Sequence, residues 1–202
     1  MSSNSSKPTF KDPQYIIAIG VTIISLCALI VSVKQTQIMR EEGELMREYS
    51  RASVWPRLEL SLAKGHNLSD GKINQFSLFL NNSGVGPAIV TDVKITYKEE
   101  AITNWVDLFE KAGIADSIEV YFTNRSFNKQ VLKIDENLEL LNLDSNLPLA
   151  QAFYEILNDV NIDIIYESIY KQQWKYEIRA SGTETIQLEN FEGLQKEEQF
   201  LE

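Results

Sequence analysis

The hydrophobic pattern is most uneven near the start of the chain, where residues 15–33 contain no charged side chain. Thr22, Ser25 and Ser32 are the Ser and Thr positions in an otherwise largely aliphatic run. A helix of this length rises about 29 Å, close to the hydrocarbon thickness of a bilayer. We therefore predict a transmembrane helix over residues 14–34, preceded by a disordered tail over residues 1–13.

Two other structures can produce such a run. A cleaved signal peptide usually has a shorter apolar core that ends in a small-x-small site, and no Ala-x-Ala follows this run. A buried helix that is apolar on every face needs more surrounding chain than this sequence has. The pattern favours a retained span, in which small residues four apart permit close contact between helices.

Residues 35–54 predict a helical stalk that continues the span. Ile38, Leu45 and Ala52 recur every seven residues, Met39 and Met46 form a parallel row, and Glu and Arg fill seven of the other positions. A heptad pattern favours packing on a partner helix, so the stalk predicts self-association, although packing on its own domain is the alternative. We expect the helix to end near Val54, because Pro56 disfavours helical geometry at the residue before it. We interpret Trp55 as a packing anchor at the edge of the following domain, with ligand stacking as the alternative.

Residues 55–185 alternate mainly between apolar and polar positions with a period of two, which is typical of half-buried antiparallel strands. The alternating sets are Leu58/Leu60/Leu62, Phe76/Leu78/Leu80, Val93/Ile95/Tyr97, Ile118/Val120/Phe122, Ile162/Ile164/Tyr166 and Trp174/Tyr176/Ile178. The last two sets are predicted to pair. Residues 131–143 predict one more strand or two short ones, and a change of phase near Thr91-Asp92 predicts a β-bulge.

Two helical insertions interrupt the strands. Apolar residues at helical spacing predict one helix from Thr103 to Ala112 and another from Pro148 to Val160. The predicted fold class is therefore α+β: a transmembrane helix and stalk, followed by a β-sandwich or open barrel with two helical insertions.

The segment from Leu80 to Ala88 reads Leu-Asn-Asn-Ser-Gly-Val-Gly-Pro-Ala and predicts a turn between two strands, since Asn, Gly and Pro favour turn geometry. Gly84-Val85-Gly86 resembles part of a phosphate-binding loop. No third Gly and no Lys-Ser/Thr follow it, and a strand comes next rather than a helix. We therefore do not assign phosphate binding to this segment.

These segments together resemble a group of uncharacterised bacterial single-pass membrane proteins. The resemblance lies first in the order of span and stalk, followed by two motifs. These are Ala52-Ser53-Val54-Trp55-Pro56-x-Leu58-Glu59 and Asn82-x-Gly84-x-Gly86-Pro87-Ala88. It extends to a late strand like Tyr166–Tyr170 that is followed by a Trp. It covers most of residues 15–180 and implies a bacterial origin and the same architecture. It brings no activity and no site residues, and the chain departs from the pattern beyond Ser181.

Charge narrows the classes of partner. The chain has 202 residues and a formal net charge of −10, which makes nucleic acid an improbable partner because its binding depends on Lys and Arg. Residues 183–202 hold six Glu and one Lys. We interpret residues 186–202 as an acidic tail: either a peptide that docks on a partner through Leu188, Phe191 and Leu194, or a disordered end after a last strand.

Topology is predicted from the basic residues that flank the span. Lys34, Arg40, Arg47 and Arg51 follow it, whereas Lys7 and Lys11 precede it. The positive-inside rule then places the C-terminal domain in the cytoplasm, and the bacterial resemblance makes the membrane the inner (cell) membrane. Cys27 is the only cysteine and lies within the span, which fits a reducing compartment without excluding the periplasm.

No catalytic, cofactor-binding or metal-ligating residue is predicted. His66 is the only histidine and is expected in an exposed loop, so neither a zinc site nor a His-dependent triad is indicated. The neighbouring acids Glu99-Glu100 and Asp135-Glu136 would point to opposite faces of a strand. Asp70, Asp144 and Asn146 lie in turn-like sequence and carry oxygens that could ligate calcium, but they lack the spacing of an EF-hand.

The leading functional hypothesis is a membrane-anchored, non-enzymatic module that binds an unknown protein or small-molecule ligand and self-associates through span and stalk. The alternative is a ligand-regulated effector that oligomerises and perturbs the bilayer, motivated by the hydroxyls and small residues of the span. An enzyme is disfavoured because no reactive constellation is present.

Overall fold

The computed structural model describes residues 13–189 and 191–202, and the chain divides after Ser50 into two compact units. The predicted disordered tail lies outside the described residues, apart from Pro13, which begins the first helix.

Helix α1 runs unbroken over 40 residues, Pro13–Ala52, and none of its residues is buried. It joins the predicted span and stalk in one helix of about 60 Å at 1.5 Å per residue. It ends two residues before the predicted Val54, and the Val54 N–H donates to the Arg51 carbonyl. Of the helices in the described residues, this one is long and apolar enough to cross a membrane.

Two antiparallel sheets form the β domain, so the predicted α+β fold class is confirmed as a sandwich that does not close into a barrel. The first sheet has the order β1-β2-β7-β5, with β1 at Leu58–His66, β2 at Ile73–Asn82, β5 at Thr123–Asn124 and β7 at Asn137–Asn142. The second has the order β10-β9-β8-β3-β4, with β3 at Ala88–Tyr97, β4 at Glu100–Ile102, β8 at Val160–Glu167, β9 at Gln173–Arg179 and β10 at Gly182–Leu188. β6, at Val131–Leu132, pairs with β3.

Helices α2, Trp105–Lys111, and α3, Leu147–Ile156, are the two predicted insertions. The side chains of Asn104 and Asn146 cap their N-termini by accepting backbone N–H bonds. The Phe153 ring of α3 makes edge-to-face contacts with Phe76, Trp105 and Phe109 at centroid distances of 5.4, 6.2 and 5.8 Å. This aromatic cluster fixes the helices to the core of the sandwich.

The predicted pairing of β8 with β9 is confirmed in register. Ile162 lies opposite Ile178, Ile164 opposite Tyr176, and Tyr166 opposite Trp174. The predicted bulge is also present, because the β3–β8 register shifts between Val90 and Asp92. Residues 131–143 form two strands, β6 and β7.

Two boundaries were predicted wrongly. Ile118, Val120 and Phe122 pack against the core as their alternation predicted, but the chain there is not a strand, and pairing begins only at Thr123. Alternation indicates which side chains face the core, but it does not show whether a neighbouring strand is available for pairing. The second helix ends at Ile156 and is followed by a 3₁₀ turn, Leu157–Asp159, so Val160 begins β8.

The last strand predicted before the chain end is present as β10, but the disordered end predicted after it is not. Residues 191–202 form no helix, and they return to the domain instead of ending in disorder. Phe200 is fully buried against Trp105 and Phe127, and its N–H donates to the Val93 carbonyl at 2.8 Å. The Lys94 ammonium contacts the Glu198 carboxylate at 2.6 Å. These contacts make the chain end part of the core.

Candidate functional site: a cleft between the free edges of two sheets

Asn82 is buried at the end of β2, and its side chain forms hydrogen bonds with the segment through which the chain enters the β domain. Its side-chain oxygen accepts the N–H groups of Gly84 and Arg57 at 3.1 and 3.3 Å. Its side-chain nitrogen donates to the carbonyls of Gly86 and Leu132 at 2.8 and 3.1 Å. One amide thus joins β2, β6 and the segment that leads into β1.

The two glycines of this motif allow backbones to approach closely. A Cβ at Gly86 would lie far inside van der Waals distance of the Val54 carbonyl oxygen, and one at Gly84 would clash with the Arg57 nitrogen. The Trp55 carbonyl accepts the Val85 N–H at 2.9 Å, and the Arg57 carbonyl accepts the Ser83 N–H at 2.8 Å. The motif therefore fixes the segment from Val54 to Arg57 in place.

That segment forms one wall of a cleft of about 560 Å³. The other wall comes from β9 and β10, whose order in the second sheet leaves β10 at the edge, as β1 is at the edge of the first. The cleft is lined by Trp55, Arg57, Leu58, Glu59 and Leu60 on one side, and by Trp174, Tyr176, Thr183, Glu184, Thr185 and Gln187 on the other.

Two tyrosines lie at the boundary between the β1 edge and the second sheet. The Tyr176 hydroxyl accepts the Leu60 N–H at 3.1 Å. The Tyr166 hydroxyl is buried and makes no hydrogen bond of good geometry within the described residues. Burial raises the pKa of Tyr166 to about 12, although the Leu58 amide, Arg57 and the Thr185 hydroxyl each favour the ionised form. The phenol therefore stays neutral at physiological pH.

The cleft has both apolar and polar surface. Trp55 is 44% exposed, whereas Trp174 is buried and stacks on Tyr166 with ring centroids 5.7 Å apart. The Arg57 Nε atom lies 3.0 Å from a Glu59 carboxylate oxygen, and both side chains are about half exposed. The Trp55 ring is thus accessible from the cleft.

The candidate residues from the sequence are not brought together in this cleft. His66 ends β1 instead of lying in a loop, and its exposed ring places Nδ1 3.2 Å from the Gly71 carbonyl oxygen. The Glu136 carboxylate accepts the Lys133 N–H at 2.8 Å, and Glu99 lies in the left-handed turn between β3 and β4. Neither acid pair forms a shared site.

The side-chain oxygens that could ligate calcium instead accept hydrogen bonds from backbone N–H groups. Asp144 accepts the Phe76 N–H at 2.7 Å, Asp70 accepts the Lys72 N–H at 3.1 Å, and Asn146 caps α3. Among the described residues, no group of three His, Cys, Asp or Glu side chains is placed to hold a metal ion.

Two hydroxyls of the apolar run, those of Thr22 and Ser25, have hydrogen-bond partners within the helix. Thr22 donates to the Ala18 carbonyl and Ser25 to the Val21 carbonyl, each at 2.8 Å. Such bonds to the preceding turn satisfy a hydroxyl in an apolar helix without any pore.

Sequence reasoning missed most of the cleft. Tyr176 and Trp174 were assigned only as core residues, and Arg57, Thr183, Thr185 and Gln187 were not singled out. The pattern Thr183-x-Thr185-x-Gln187 carries a signal, because three polar residues alternate on one face of the last strand. Recognising that face as a wall requires knowing that β10 is an edge strand.

No protein-family model matches this sequence, and no curated protein matches it either.

Proposed function

We propose that this protein is a membrane-anchored, non-enzymatic binding module. In this proposal the apolar part of α1 crosses a lipid bilayer, and the cleft between β1 and β10 binds a protein or small-molecule ligand. The cleft is the observation that carries the proposal. It combines an exposed indole, hydroxyl and amide side chains and an Arg–Glu pair in one concave site, so a ligand would meet both an aromatic surface and hydrogen-bonding groups.

The proposal extends to the compartment. The four basic residues after the span and the two before it favour a cytoplasmic β domain. The resemblance to bacterial single-pass proteins favours the bacterial inner membrane. The labelling experiment below tests the cytoplasmic placement of the β domain.

Self-association is the third part of the proposal. Ile38, Met39, Leu45 and Met46 are all exposed on α1. An apolar stripe on an exposed helix favours a partner helix, and anchoring in a membrane raises the effective concentration of a second copy.

A single introduced cysteine tests anchoring and topology together. Leu68 is fully exposed in the loop after β1, and Cys27 is the only native cysteine. In a Cys27→Ser background, Leu68→Cys is expected to remain in the membrane fraction. It should react with a membrane-impermeant maleimide only after bacterial cells are lysed.

The matched control carries Cys27→Ser alone and should remain unlabelled. Labelling of Leu68→Cys in intact cells would place the β domain outside and contradict the predicted topology. Recovery in the soluble fraction would contradict the anchor.

A further inference from the structure

The outer edge of β10 offers unpaired backbone groups beside the cleft. Resting on the proposed function, we propose that this edge binds an extended, basic peptide segment, which adds as a further strand of the second sheet. Within the described residues, no strand pairs with this edge, and Thr183, Glu184, Thr185 and Gln187 are all exposed.

The register identifies which groups are free. Gly182 lies opposite Arg179 across a two-residue loop, so this closing pair is hydrogen-bonded and the pairs then alternate along the ladder. Glu184 and Ile186 therefore bond to β9. The N–H and C=O groups of Thr183, Thr185 and Gln187 point away from β9, while their side chains line the cleft. An added strand would bond to these three residues.

The edge of β1 is less suited to an added strand. Its outward N–H at Leu60 is already bonded to the Tyr176 hydroxyl, and the buried Tyr166 hydroxyl lies by the Leu58 amide. A peptide would have to displace these tyrosines from β1, whereas the β10 edge has no such cover. The geometry therefore selects β10.

Charge selects a basic peptide. The only charged residue within β10 is Glu184, which has no ion pair within the described residues. Its cross-strand neighbour Glu177 is engaged by Lys175. Edge strands are commonly guarded by Lys, and β10 has none. A Lys or Arg opposite Glu184 would supply the missing charge, and Thr or Val opposite Thr185 would make a favourable cross-strand pair.

The test uses full-length protein in nanodiscs and a fluorescent peptide of sequence Lys-Thr-Val-Thr-Val-Thr-Lys, followed by fluorescence anisotropy. A second peptide has the same side chains and charge but carries N-methyl groups on its five central amides. We expect the first peptide to bind and the second to bind at least about tenfold more weakly, because it cannot complete the ladder. Equal binding of the two peptides would overturn the proposal.

Protein variants separate the contribution of backbone hydrogen bonds to peptide binding from that of side chains. Thr185→Pro removes an outward N–H without touching the β9 ladder, whereas the matched Thr185→Val keeps it. We expect about a tenfold loss of affinity in Thr185→Pro and little change in Thr185→Val. Glu184→Lys should weaken binding independently of any effect of proline on folding. Unchanged affinity in both Thr185→Pro and Glu184→Lys would overturn the proposal.

Two further outcomes distinguish this inference from the proposed function. If Trp55→Ala abolishes binding and Thr185→Pro does not, the cleft is a ligand site but the edge is not a peptide site. If Thr185→Pro dissociates an oligomer that Thr185→Val retains, a second copy occupies the edge. Either result overturns the peptide inference and leaves membrane anchoring intact.

Discussion

Asn82 shows how one side chain can connect segments that are distant in the sequence. Its side-chain oxygen accepts two backbone N–H groups, and its side-chain nitrogen donates to at least two backbone carbonyls. These side-chain bonds are separate from the backbone hydrogen bonds between strands. The sequence predicted a turn here. It could not predict that the turn leads from the first sheet to the second, because sheet assignment depends on pairing between distant strands.

Replacement of Asn82 tests this role. Asn82→Ala leaves buried donors and acceptors without partners, so we expect a loss of about 2–4 kcal/mol in the free energy of unfolding. Urea denaturation followed by tryptophan fluorescence measures it. Asn81→Ala is the matched control: its side chain donates to Ser61 at 3.0 Å in a less buried position, and should cost under about 1 kcal/mol.

Tyr166 gives a pH-dependent prediction. Its folded-state pKa of about 12 exceeds the ordinary value of 10.0, so the neutral phenol is favoured by folding. This contribution is complete below pH 10 and is lost as pH rises to about 12. The stability of wild type relative to Tyr166→Phe should therefore fall over that window, by on the order of 2–3 kcal/mol.

Paired denaturation curves at several pH values between 8 and 12 provide the measurement. Lys and Arg titrate in both proteins, so their effects cancel in the difference. A difference that does not change with pH would show that the Tyr166 hydroxyl is not effectively buried.

At the scale of elements, periodicity predicted the strands and their facing residues better than their limits. The β8–β9 register followed from two matching alternating sets, because each set had one apolar face to bury. The packing of the chain end could not be predicted from periodicity. Its single buried aromatic, Phe200, lies among Glu residues whose composition predicts solvent exposure. Tertiary contacts with Val93 and Trp105 override that local preference.

Phe200 therefore provides a test of the chain end. Phe200→Ala removes a fully buried ring from contact with Trp105 and Phe127 and should destabilise the protein by about 3–5 kcal/mol. Leu201→Ala, at a position 65% exposed, should change stability by less than about 0.5 kcal/mol. Thermal unfolding would distinguish them, and equal effects would contradict a packed chain end.

The stripe on α1 predicts an element-scale effect on self-association. Leu45→Glu places a charge in the apolar row and should reduce cysteine-independent chemical crosslinking of the protein in membranes. Glu44→Gln changes the opposite side of the same helix and should leave crosslinking unchanged. Equal crosslinking of the two variants would indicate that the stripe is not an interface.

At the scale of the whole molecule, the fold class and the order of a long apolar helix followed by a β domain follow from the sequence. The cleft does not, because it arises where edge strands of two different sheets approach each other. Its residues are separated by more than 100 positions, and their individual patterns are those of ordinary strands. Two features therefore support the proposed function: an apolar helix suited to a bilayer and a concave site in the domain that follows it.

Flotation of full-length protein with liposomes after an alkaline carbonate wash tests whether α1 integrates into a membrane. Wild type should float with the vesicles. Val21→Arg combined with Ala28→Arg adds two charges to the apolar run, which costs about 5–7 kcal/mol at the bilayer centre, and should prevent flotation. The control Met39→Arg lies beyond that run and should float. Wild-type protein that stays at the bottom of the gradient after the wash would contradict the account.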